Sequence, residues 1–227
     1  MAAAVGAVAV SLEARGPMVK IIAGEFRSRV LVTVPDDETT RPLLGRVKES
    51  IFGMLHEWFD GARVLDLFAG IGTAGLEAVS RGAAAVLMVE NNPKTYRVLQ
   101  RNIQRLGCGE RAKAMLGDAL AQTCLLRAPQ PTDLIFIDPP YRMMEDQQSR
   151  PRILQQIARC RTIMGDRGFA VLRSPFGPNA VDLSIPGFVG PEDHQYRKDM
   201  WVLIYEPATA AGPAVPSSAQ SAQHHTV

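Results

Sequence analysis

An α/β fold is predicted for this chain: a mostly parallel, seven-stranded sheet with helices on both faces, preceded by a small β-hairpin and a helix. Short apolar runs alternate with helix-length amphipathic segments through the middle of the sequence, a pattern typical of parallel sheets. Two of these runs, VLDLF and LIFID, are almost entirely apolar, as strands covered on both faces are. The chain has 227 residues, of which 46% are hydrophobic, so it can bury one sizeable core.

The N-terminal part is predicted to divide into an extension and an appendage. Residues 1–17 are small and apolar, with no basic residue ahead of the apolar run, so we expect a disordered extension and not a signal peptide. Residues 18–60 are expected to form the appendage, which begins with a hairpin whose arms are 19–23 and 30–34. Apolar residues at helical spacing then predict a helix over 46–59; they are Val47, Ile51, Met54, Leu55 and Trp58.

Residues 61–207 are predicted to form the main domain. Its strands are expected at 63–68, 85–90, 112–117, 134–138 and 169–173, with a final pair near 180–185 and 200–206. Helices are expected to begin near Thr73, Pro93, Ala119 and Arg152. The remaining residues, 208–227, are small and polar with several Pro and Ser, so a disordered tail is expected there.

The charge alone decides nothing about function, whereas the cysteine content argues against two classes of protein. The net charge is only +2, whereas a protein that grips naked duplex DNA by its phosphates usually carries a stronger basic excess. No apolar stretch is long enough to span a membrane. The odd, dispersed set of three cysteines fits a reducing cytosol, so a cytoplasmic protein is expected, and we also expect a monomer. The three cysteines lie far apart and form no C-x-x-C pair, so neither a metal site nor a disulfide framework is predicted.

A glycine-rich turn follows the first strand of the main domain. It reads VLDLFAGIGTAG over residues 64–75, and Gly70 and Gly72 let the turn tighten and let a ligand approach the backbone. Gly75 lets the next helix pack closely on the strand. The pattern also matches a dinucleotide fingerprint, with Glu90 where a ribose-binding acid belongs. A nicotinamide-dependent dehydrogenase is therefore one alternative at this point.

Acidic side chains accompany the ends of four predicted strands: Asp66, Glu90, Asp118 and Asp138. Parallel strands end at the same edge of a sheet, where ligands of α/β proteins bind, so we expect the four carboxylates in one row. Such a row suits a ligand with hydroxyls, amines and a positive centre, and it suits a diphosphate poorly. S-adenosylmethionine carries a ribose, an adenine amine, an α-amino group and a sulfonium. The alternative for each carboxylate alone is a helix cap.

The segment Asp138-Pro139-Pro140-Tyr141 follows the fourth strand directly. Its two prolines end the strand and rigidify the turn, so the carboxylate and nearby carbonyls point to a fixed place. An exocyclic base amine is conjugated with its ring and is a poor nucleophile. Acceptors aimed at its N–H groups direct its lone pair at a methyl group, while Tyr141 stacks on the base. The motif predicts amino-methyl transfer to nucleic acid, and a dehydrogenase would leave it unexplained.

The segments VLDLFAGIGTAGLEA, VLMVE, GDAL and FIDPPY resemble the successive motifs of Rossmann-like class I amino-methyltransferases. At the front, KIIAGEFRSRVL, Arg41-Pro42 and RVKESIF are similar to the RsmD-type 16S ribosomal RNA (guanine-N2)-methyltransferases. The resemblance runs from about Met18 to Pro207. It implies methylation of one guanine N2 in small-subunit ribosomal RNA, on an assembling ribosomal particle in the bacterial cytoplasm, with S-adenosylmethionine as the cofactor.

By position, the resemblance assigns roles to the candidate residues. The catalytic set at the target base is Asp138, Pro139, Pro140 and Tyr141. The cofactor set is Asp66, Gly70 and Gly72 at the methionine part, Glu90 at the ribose and Asp118 at the adenine edge, with Phe68, Ala69, Asn91 and Ala119 beside them. The cations expected to contact RNA or close the site are Arg27, Arg29, Arg41, Arg46 and Lys48. An ordinary solvated surface is the alternative for these cations, and no metal is expected.

Two other functions stay open. A DNA adenine-N6 or cytosine-N4 methyltransferase uses the same Asp-Pro-Pro-Tyr logic, but such enzymes usually carry a larger inserted target-recognition region. A non-catalytic RNA-binding assembly factor with this fold is the second, and the intact motif and glycine turn argue against it. Toward the C-terminus the chain reads YRKDM over 196–200, where family members tend to show a Tyr-Gly-Asp-Thr-like stretch, so this loop receives no role.

Overall fold

Seven strands form one sheet within residues 18–34 and 45–209, the part of the chain that this computed structural model describes. In chain order they are β1 (Arg63–Leu67), β2 (Ala85–Glu90), β3 (Ala112–Leu116), β4 (Thr132–Ile137), β5 (Met164–Ser174), β6 (Phe188–Arg197) and β7 (Met200–Pro207). Across the sheet their order is β3-β2-β1-β4-β5-β7-β6. The first five strands run parallel, and β7 is antiparallel to both of its neighbours. The predicted mostly parallel, seven-stranded sheet is confirmed.

Helices cover both faces of this sheet, as predicted. They are α1 (Gly45–Met54), α2 (Thr73–Ser80), α3 (Pro93–Leu106), α4 (Gln122–Arg127), α5 (Tyr141–Glu145) and α6 (Ser149–Cys160), with short 3₁₀ turns at His56–Trp58 and Arg161–Ile163. The first three helices pack on one face and the last three on the other. Alternate residues of β1 enter the two cores, Val64 the first and Leu65 the second, because successive side chains of a strand point to opposite faces.

Local signals around α3 show how the sequence positions a helix beside the site. Asn92 precedes α3, and its side chain accepts the backbone N–H groups of Lys94 at 2.9 Å and Thr95 at 3.3 Å. Pro93 occupies the first turn, and Gly107 ends the helix in the left-handed conformation, with a φ of 68°. Because Asn92 lies two residues after β2, this cap also fixes the direction in which the chain leaves the carboxyl end of β2.

The N-terminal appendage is a looser hairpin than predicted. Among the described residues of the two arms, only Lys20 and Val30 form a ladder bridge. Instead, Ile22 and Ala23 donate their backbone N–H groups to the carboxylate of Glu77 in α2, at 2.8 and 3.0 Å. The helix of the appendage, α1, ends at residue 54 and is followed by a 3₁₀ turn, short of the predicted 59. The hairpin and α1 share one core with α2 and α3.

Three boundaries in the main domain differ from the predictions. The strand before β7 is not 180–185 but β6 (Phe188–Arg197), whose side chains are mostly exposed and lack a clean apolar alternation. Leu183 and Ile185 are buried in a loop, so they imitate a strand in the sequence. The helix α4 begins at Gln122 rather than near Ala119, and the five-residue α5 was not predicted.

Several expectations fall on parts of the chain outside the described residues. They are the extension at 1–17, the cation Arg41 and the tail from 210 to 227. Within the described ranges, none of the helices has the length and apolar character required to cross a bilayer.

Candidate active site

The carboxyl ends of β1 and β4 bring the two main sequence motifs together. The strands are neighbours, with Leu67 opposite Ile137, and the N–H of Asp138 donates to the carbonyl of Leu67 at 3.3 Å. From β1 the next strand lies on one side, and from β4 it lies on the other. This reversal is the place where ligands of open α/β sheets bind. The structure therefore brings the glycine turn directly beside Asp138-Pro139-Pro140-Tyr141.

The glycine turn combines a packed position with an open one. Both Gly70 and Gly72 are left-handed, with φ values of 56° and 90°. A side-chain carbon on Gly72 would lie 2.6 Å from Leu99, so this glycine lets the turn pack on α3. A carbon on Gly70 would meet nothing within 4 Å, so the backbone there faces open space. Phe68 also has a positive φ of 62°, a strain of about 1–2 kcal/mol of the kind found at binding sites.

Asp66 lies beneath the turn and does not project from the sheet edge, which corrects the predicted row of four carboxylates. Asp66 is only 1% exposed, and its Oδ2 accepts the backbone N–H of Gly75 at 2.8 Å. Burial raises the pKa of Asp66 to about 8; the hydrogen bond from Gly75 opposes the rise, and the carboxylates of Asp138 and Glu90 add to it. Asp66 comes before the last residue of β1, so its side chain points into the α2 face and supports the turn.

Glu90 ties the end of β2 to the glycine turn. Its Oε2 accepts the N–H of Gly70 at 2.9 Å, and its Oε1 accepts the N–H of Asn92 at 2.7 Å. A carboxylate oxygen has two lone pairs, so each oxygen keeps one for a ligand. Glu90 is half-exposed. The two backbone N–H groups thus fix a carboxylate whose remaining acceptors are available to a pair of hydroxyl groups.

Asp118 follows β3 at the same edge of the sheet. The N–H of Gly117 donates to the carbonyl of Glu90 at 3.0 Å, which brings the two acidic residues side by side. Oδ1 of Asp118 accepts the N–H of Leu120 at 2.9 Å, and its side chain is exposed while Ala119 behind it is buried. The structure thus brings Glu90, Asp118 and the exposed Asn91 to the same edge of the sheet, beside the turn.

Beside β4, an arginine that the sequence analysis did not select holds the predicted catalytic residues. Nε of Arg173, on β5, donates to Oδ1 of Asp138. Its guanidinium carbon lies 5.1 Å from the centroid of the Tyr141 ring, a cation–π distance. The Arg173 side chain is only 12% exposed. One buried cation therefore fixes both the carboxylate and the aromatic ring of the motif.

Two opposing influences act on Asp138. Burial raises the pKa of its carboxyl group above the ordinary aspartate value, while the charge and hydrogen bond of Arg173 lower it. The ion pair engages Oδ1, and within the described part of the chain no protein group donates a hydrogen bond to Oδ2. Pro139 is buried, and Pro140 precedes the short α5 that begins at Tyr141. The turn therefore presents one free carboxylate oxygen in a direction set by the prolines and by Arg173.

The prediction that Lys48 contacts RNA is wrong. The Lys48 side chain is 4% exposed; its Nζ lies 2.9 Å from Oε2 of Glu77 and donates to the carbonyl of Lys20 at 3.1 Å. Glu77 also accepts from Nε of Arg81 at 2.9 Å. Burial lowers the pKa of Lys48 and the charge of Glu77 opposes that shift. Lys48 lies on the apolar face of α1, so it ties this helix to α2.

Of the other predicted cations, the structure describes Arg27, Arg29 and Arg46, and all three are exposed. The hairpin turn is anchored at the end of α2, where the N–H of Glu25 donates to the carbonyl of Ser80 at 2.7 Å. The glycine turn lies at the start of α2, an eight-residue helix about 12 Å long. Arg27 and Arg29 therefore lie at the far end of the helix and do not close the site.

One residue near the site, Arg173, could have been identified from the sequence, and the stretch 196–200, which received no role, lies nearby. Arg173 was a charged residue at the carboxyl end of a strand otherwise apolar from 169 to 172, a position that points to function in this fold. The stretch 196–200 spans the end of β6, the two-residue turn and the start of β7, at the same edge as Ser174, because Ser174 pairs with Trp201. Tyr196 lies 2.7 Å from Ser50 of α1, hydroxyl to hydroxyl.

Sequence comparison identifies one family and several relatives. The family described as conserved hypothetical protein 95 matches residues 19–175. A putative ribosomal RNA methyltransferase of Bacillus subtilis is 38% identical over 125 residues, covering 54% of this chain and 67% of that protein. Ribosomal RNA small subunit methyltransferase D of Escherichia coli K12 is 36% identical over 124 residues, which span 55% of this chain and 61% of its own length.

Solved structures share the fold over most of the chain. A putative methyltransferase from Escherichia coli superposes with a TM-score of 0.70 at 24% identity, covering 84% of this chain and 98% of its own. A putative methylase from Haemophilus influenzae gives a TM-score of 0.63 at 25% identity, with coverages of 85% and 99%. Together with the strand order, these neighbours identify the Rossmann-like class I methyltransferase fold.

Proposed function

This chain belongs to the conserved hypothetical protein 95 family, and we propose that it methylates the exocyclic N2 of one guanine in 16S ribosomal RNA, using S-adenosylmethionine. The observation that carries the proposal is the arrangement of Asp138-Pro139-Pro140-Tyr141 beside the glycine turn at the switch point of the sheet. The names of relatives supply the RNA class, and the motif supplies the amino acceptor.

The residues beside the turn fit S-adenosylmethionine. The free lone pairs of Glu90 match the two ribose hydroxyls, and the exposed carboxylate of Asp118 matches the adenine amine. Open space above Gly70 admits the methionine part close to the backbone. Asp66 supports that backbone from below. Phe68, Ala69, Gly72, Asn91 and Ala119 complete this cofactor set. When bound, S-adenosylmethionine supplies an electrophilic methyl group on a positively charged sulfur.

The acceptor half of the site prepares the guanine amine. Oδ2 of Asp138 accepts an N–H of the amine, which turns its lone pair toward the methyl group. Since Arg173 covers one face of Tyr141, the base stacks on the other face. Transfer of the methyl group, with the neutral thioether as leaving group, would leave a positive charge on N2, and Asp138 or solvent would accept the extra proton that N2 then releases. The rise in the pKa of Asp138 caused by burial favours that acceptance.

The modest charge of the chain favours RNA held in a particle as substrate. A net charge of +2 gives little non-specific affinity for phosphates, so folded ribosomal RNA and its proteins must present the guanine. Between residues 45 and 209 the sheet and its connections leave no large inserted segment of the kind that DNA amino-methyltransferases use. We therefore favour an assembling small subunit in the bacterial cytoplasm over duplex DNA, and a monomeric enzyme.

The proposal is tested with purified protein and S-adenosylmethionine carrying a labelled methyl group. Three substrates are compared: small subunits lacking the modification, naked 16S ribosomal RNA and duplex DNA. After digestion, the label is expected in N2-methylguanosine from the RNA substrates, with the particle the better substrate. Label in N6-methyladenine or N4-methylcytosine of DNA would replace the proposal with a DNA methyltransferase. No transfer to any substrate, with S-adenosylmethionine bound, would favour a non-catalytic assembly factor.

A further inference from the structure

An open groove lies next to the proposed acceptor site, on the far side of Arg173. Its volume is about 650 Å³, within the range of small-molecule sites. Leu172 of β5 pairs with Ile137 of β4, and Ser174 pairs with Trp201 of β7. The groove therefore lies two strands from Asp138, about 10 Å away at ordinary strand spacing. It is lined by Pro175, Phe176, Gly177, Asn179, Ala180, Lys198, Asp199 and Trp201.

Close contacts with neighbouring residues hold the two aromatic side chains of the groove in place. A side-chain carbon on Gly177 would lie 2.8 Å from the ring of Trp201, so only glycine lets the backbone lie this close to the indole. The guanidinium of Arg150 lies 5.7 Å from the centroid of the Phe176 ring. Trp201 is half-exposed. The groove thus offers a fixed aromatic surface, which loses little side-chain entropy when a planar ligand stacks on it.

The polar groups of the groove suit a nucleotide. Lys198 and Asp199 are both exposed, in the turn between β6 and β7, and Asn179 is exposed in the loop after β5. A lysine attracts a phosphate, while an amide and a carboxylate bond to the edges of bases. None of the eight lining residues takes part in the proposed methyl transfer. The groove therefore combines an aromatic platform with the chemistry that recognises single-stranded RNA.

We propose that this Trp201 groove binds a base that flanks the target guanine in RNA, by stacking the base on Trp201 and placing a phosphate near Lys198. The inference rests on the proposed function, because it assumes an RNA substrate. A guanine whose N2 reaches Asp138 must leave its stack, so its neighbours lose a stacking partner. An aromatic surface about 10 Å from the reacting carboxylate replaces that partner and fixes which guanine enters the site.

Tryptophan fluorescence tests this proposal without cofactor or methylation. The chain contains two tryptophans, so a Trp58→Phe variant reports on Trp201 alone, and a matched Trp201→Phe variant reports on Trp58 alone. Trp58 lies edge-on to Phe169, with ring centroids 4.8 Å apart, away from the groove. Single-stranded poly(A) at low salt is expected to quench the first variant and leave the second unchanged. A Trp201→Leu variant is expected to bind poly(A) about 5- to 100-fold more weakly, and Trp201→Phe is expected to lose less.

Equal quenching of the two tryptophans, no quenching of Trp201, or unchanged affinity in Trp201→Leu would overturn the groove assignment. Quenching of Trp201 by small-subunit ribosomal proteins, but not by RNA, would also overturn it in favour of a protein partner. Thermal unfolding of each variant checks that the fold is retained. If poly(A) quenches Trp201 and the enzyme methylates no RNA, the proposed function fails, and the groove stands as an RNA-binding surface but no longer as a subsite beside a target guanine. If RNA is methylated without quenching, only the groove assignment fails.

Discussion

The pKa of Asp138 is subject to two opposing influences within the candidate site. Burial raises the pKa of its carboxyl group, and the guanidinium of Arg173 opposes that rise. The negative charge of Asp138 in turn raises the pKa of the nearby Asp66. An ionised Asp138 is the better acceptor for an amine N–H, so in the proposed reaction Arg173 is a positioning residue that favours the charged carboxylate and orients it.

Replacement of Arg173 is expected to change the pH profile of the reaction. In Arg173→Met the opposing charge is lost, so the pKa of Asp138 rises further and the acidic limb of kcat moves to higher pH. Arg173→Lys keeps a cation and is expected to shift the limb less. The measurement is kcat against pH at saturating S-adenosylmethionine for the three proteins. Lower activity with the acidic limb at an unchanged pH would mean that Arg173 acts only through packing.

Replacement of Asp138 separates catalysis from cofactor binding. Asp138→Ala is expected to bind S-adenosylmethionine normally, while methyl transfer falls about 100-fold or more, a loss of about 3 kcal/mol in transition-state stabilisation. Asp138→Asn keeps an oxygen acceptor and is expected to be milder. Single-turnover rates and calorimetric cofactor binding measure the two effects. Normal turnover by Asp138→Ala would leave Asp138 as no more than part of the turn.

At the scale of elements, a buried ion cluster joins α1 and the hairpin to α2. Glu77 accepts hydrogen bonds from two hairpin N–H groups, from Lys48 and from Arg81. Lys48→Met removes one partner of a buried pair, so a loss of about 3 kcal/mol in the free energy of unfolding is expected. Arg46→Met, on the exposed side of α1, is the matched control, with a change within about 0.5 kcal/mol. Equal changes in urea unfolding would contradict the structural role of Lys48.

The glycine turn yields a second contrast between neighbouring positions. A side-chain carbon on Gly75 would lie 2.5 Å from Met88, so Gly75→Ala is expected to cost about 1–3 kcal/mol of stability through overpacking. Gly70→Ala meets no neighbour within 4 Å and is expected to cost about 1 kcal/mol for its left-handed backbone. The affinity of the Gly70→Ala protein for S-adenosylmethionine, measured by calorimetry, is nevertheless expected to fall at least tenfold (about 1.4 kcal/mol). Unchanged affinity would show that the cofactor does not approach Gly70.

The elements that the sequence predicted well are those with strong local signals. The apolar runs of β1 and β4 were recognised by their composition, and the start of α3 was predicted at Pro93. The edge strand β6 carries mostly exposed side chains, and no local pattern identified it. Lys48 was placed among the RNA-contacting cations because lysine side chains are usually exposed. Its burial depends on packing against Glu77 of another helix, which no local pattern in the sequence reveals. Arg173 needed the neighbouring strand before its link to Asp138 could be recognised.

At the scale of the whole molecule, the strand order divides the site into two halves. The cofactor candidates follow β1, β2 and β3, whereas Asp138, Arg173 and Trp201 belong to β4, β5 and β7 on the other side of the switch point. In the proposed reaction, the donor and the acceptor of the methyl group meet above the carboxyl ends of β1 and β4, which are neighbours in the sheet. This division explains why one fold can hold the cofactor in a fixed way while loops after the acceptor strands select the substrate.

The most direct test of the proposed function is mass spectrometry of ribosomal RNA nucleosides from cells that lack the gene for this chain. Small-subunit RNA from these cells is expected to lose N2-methylguanosine at one position. The intact gene is expected to restore it, and a gene carrying Asp138→Ala is expected not to. An unchanged N2-methylguanosine content in the deletion strain, or full restoration by the Asp138→Ala gene, would contradict the account.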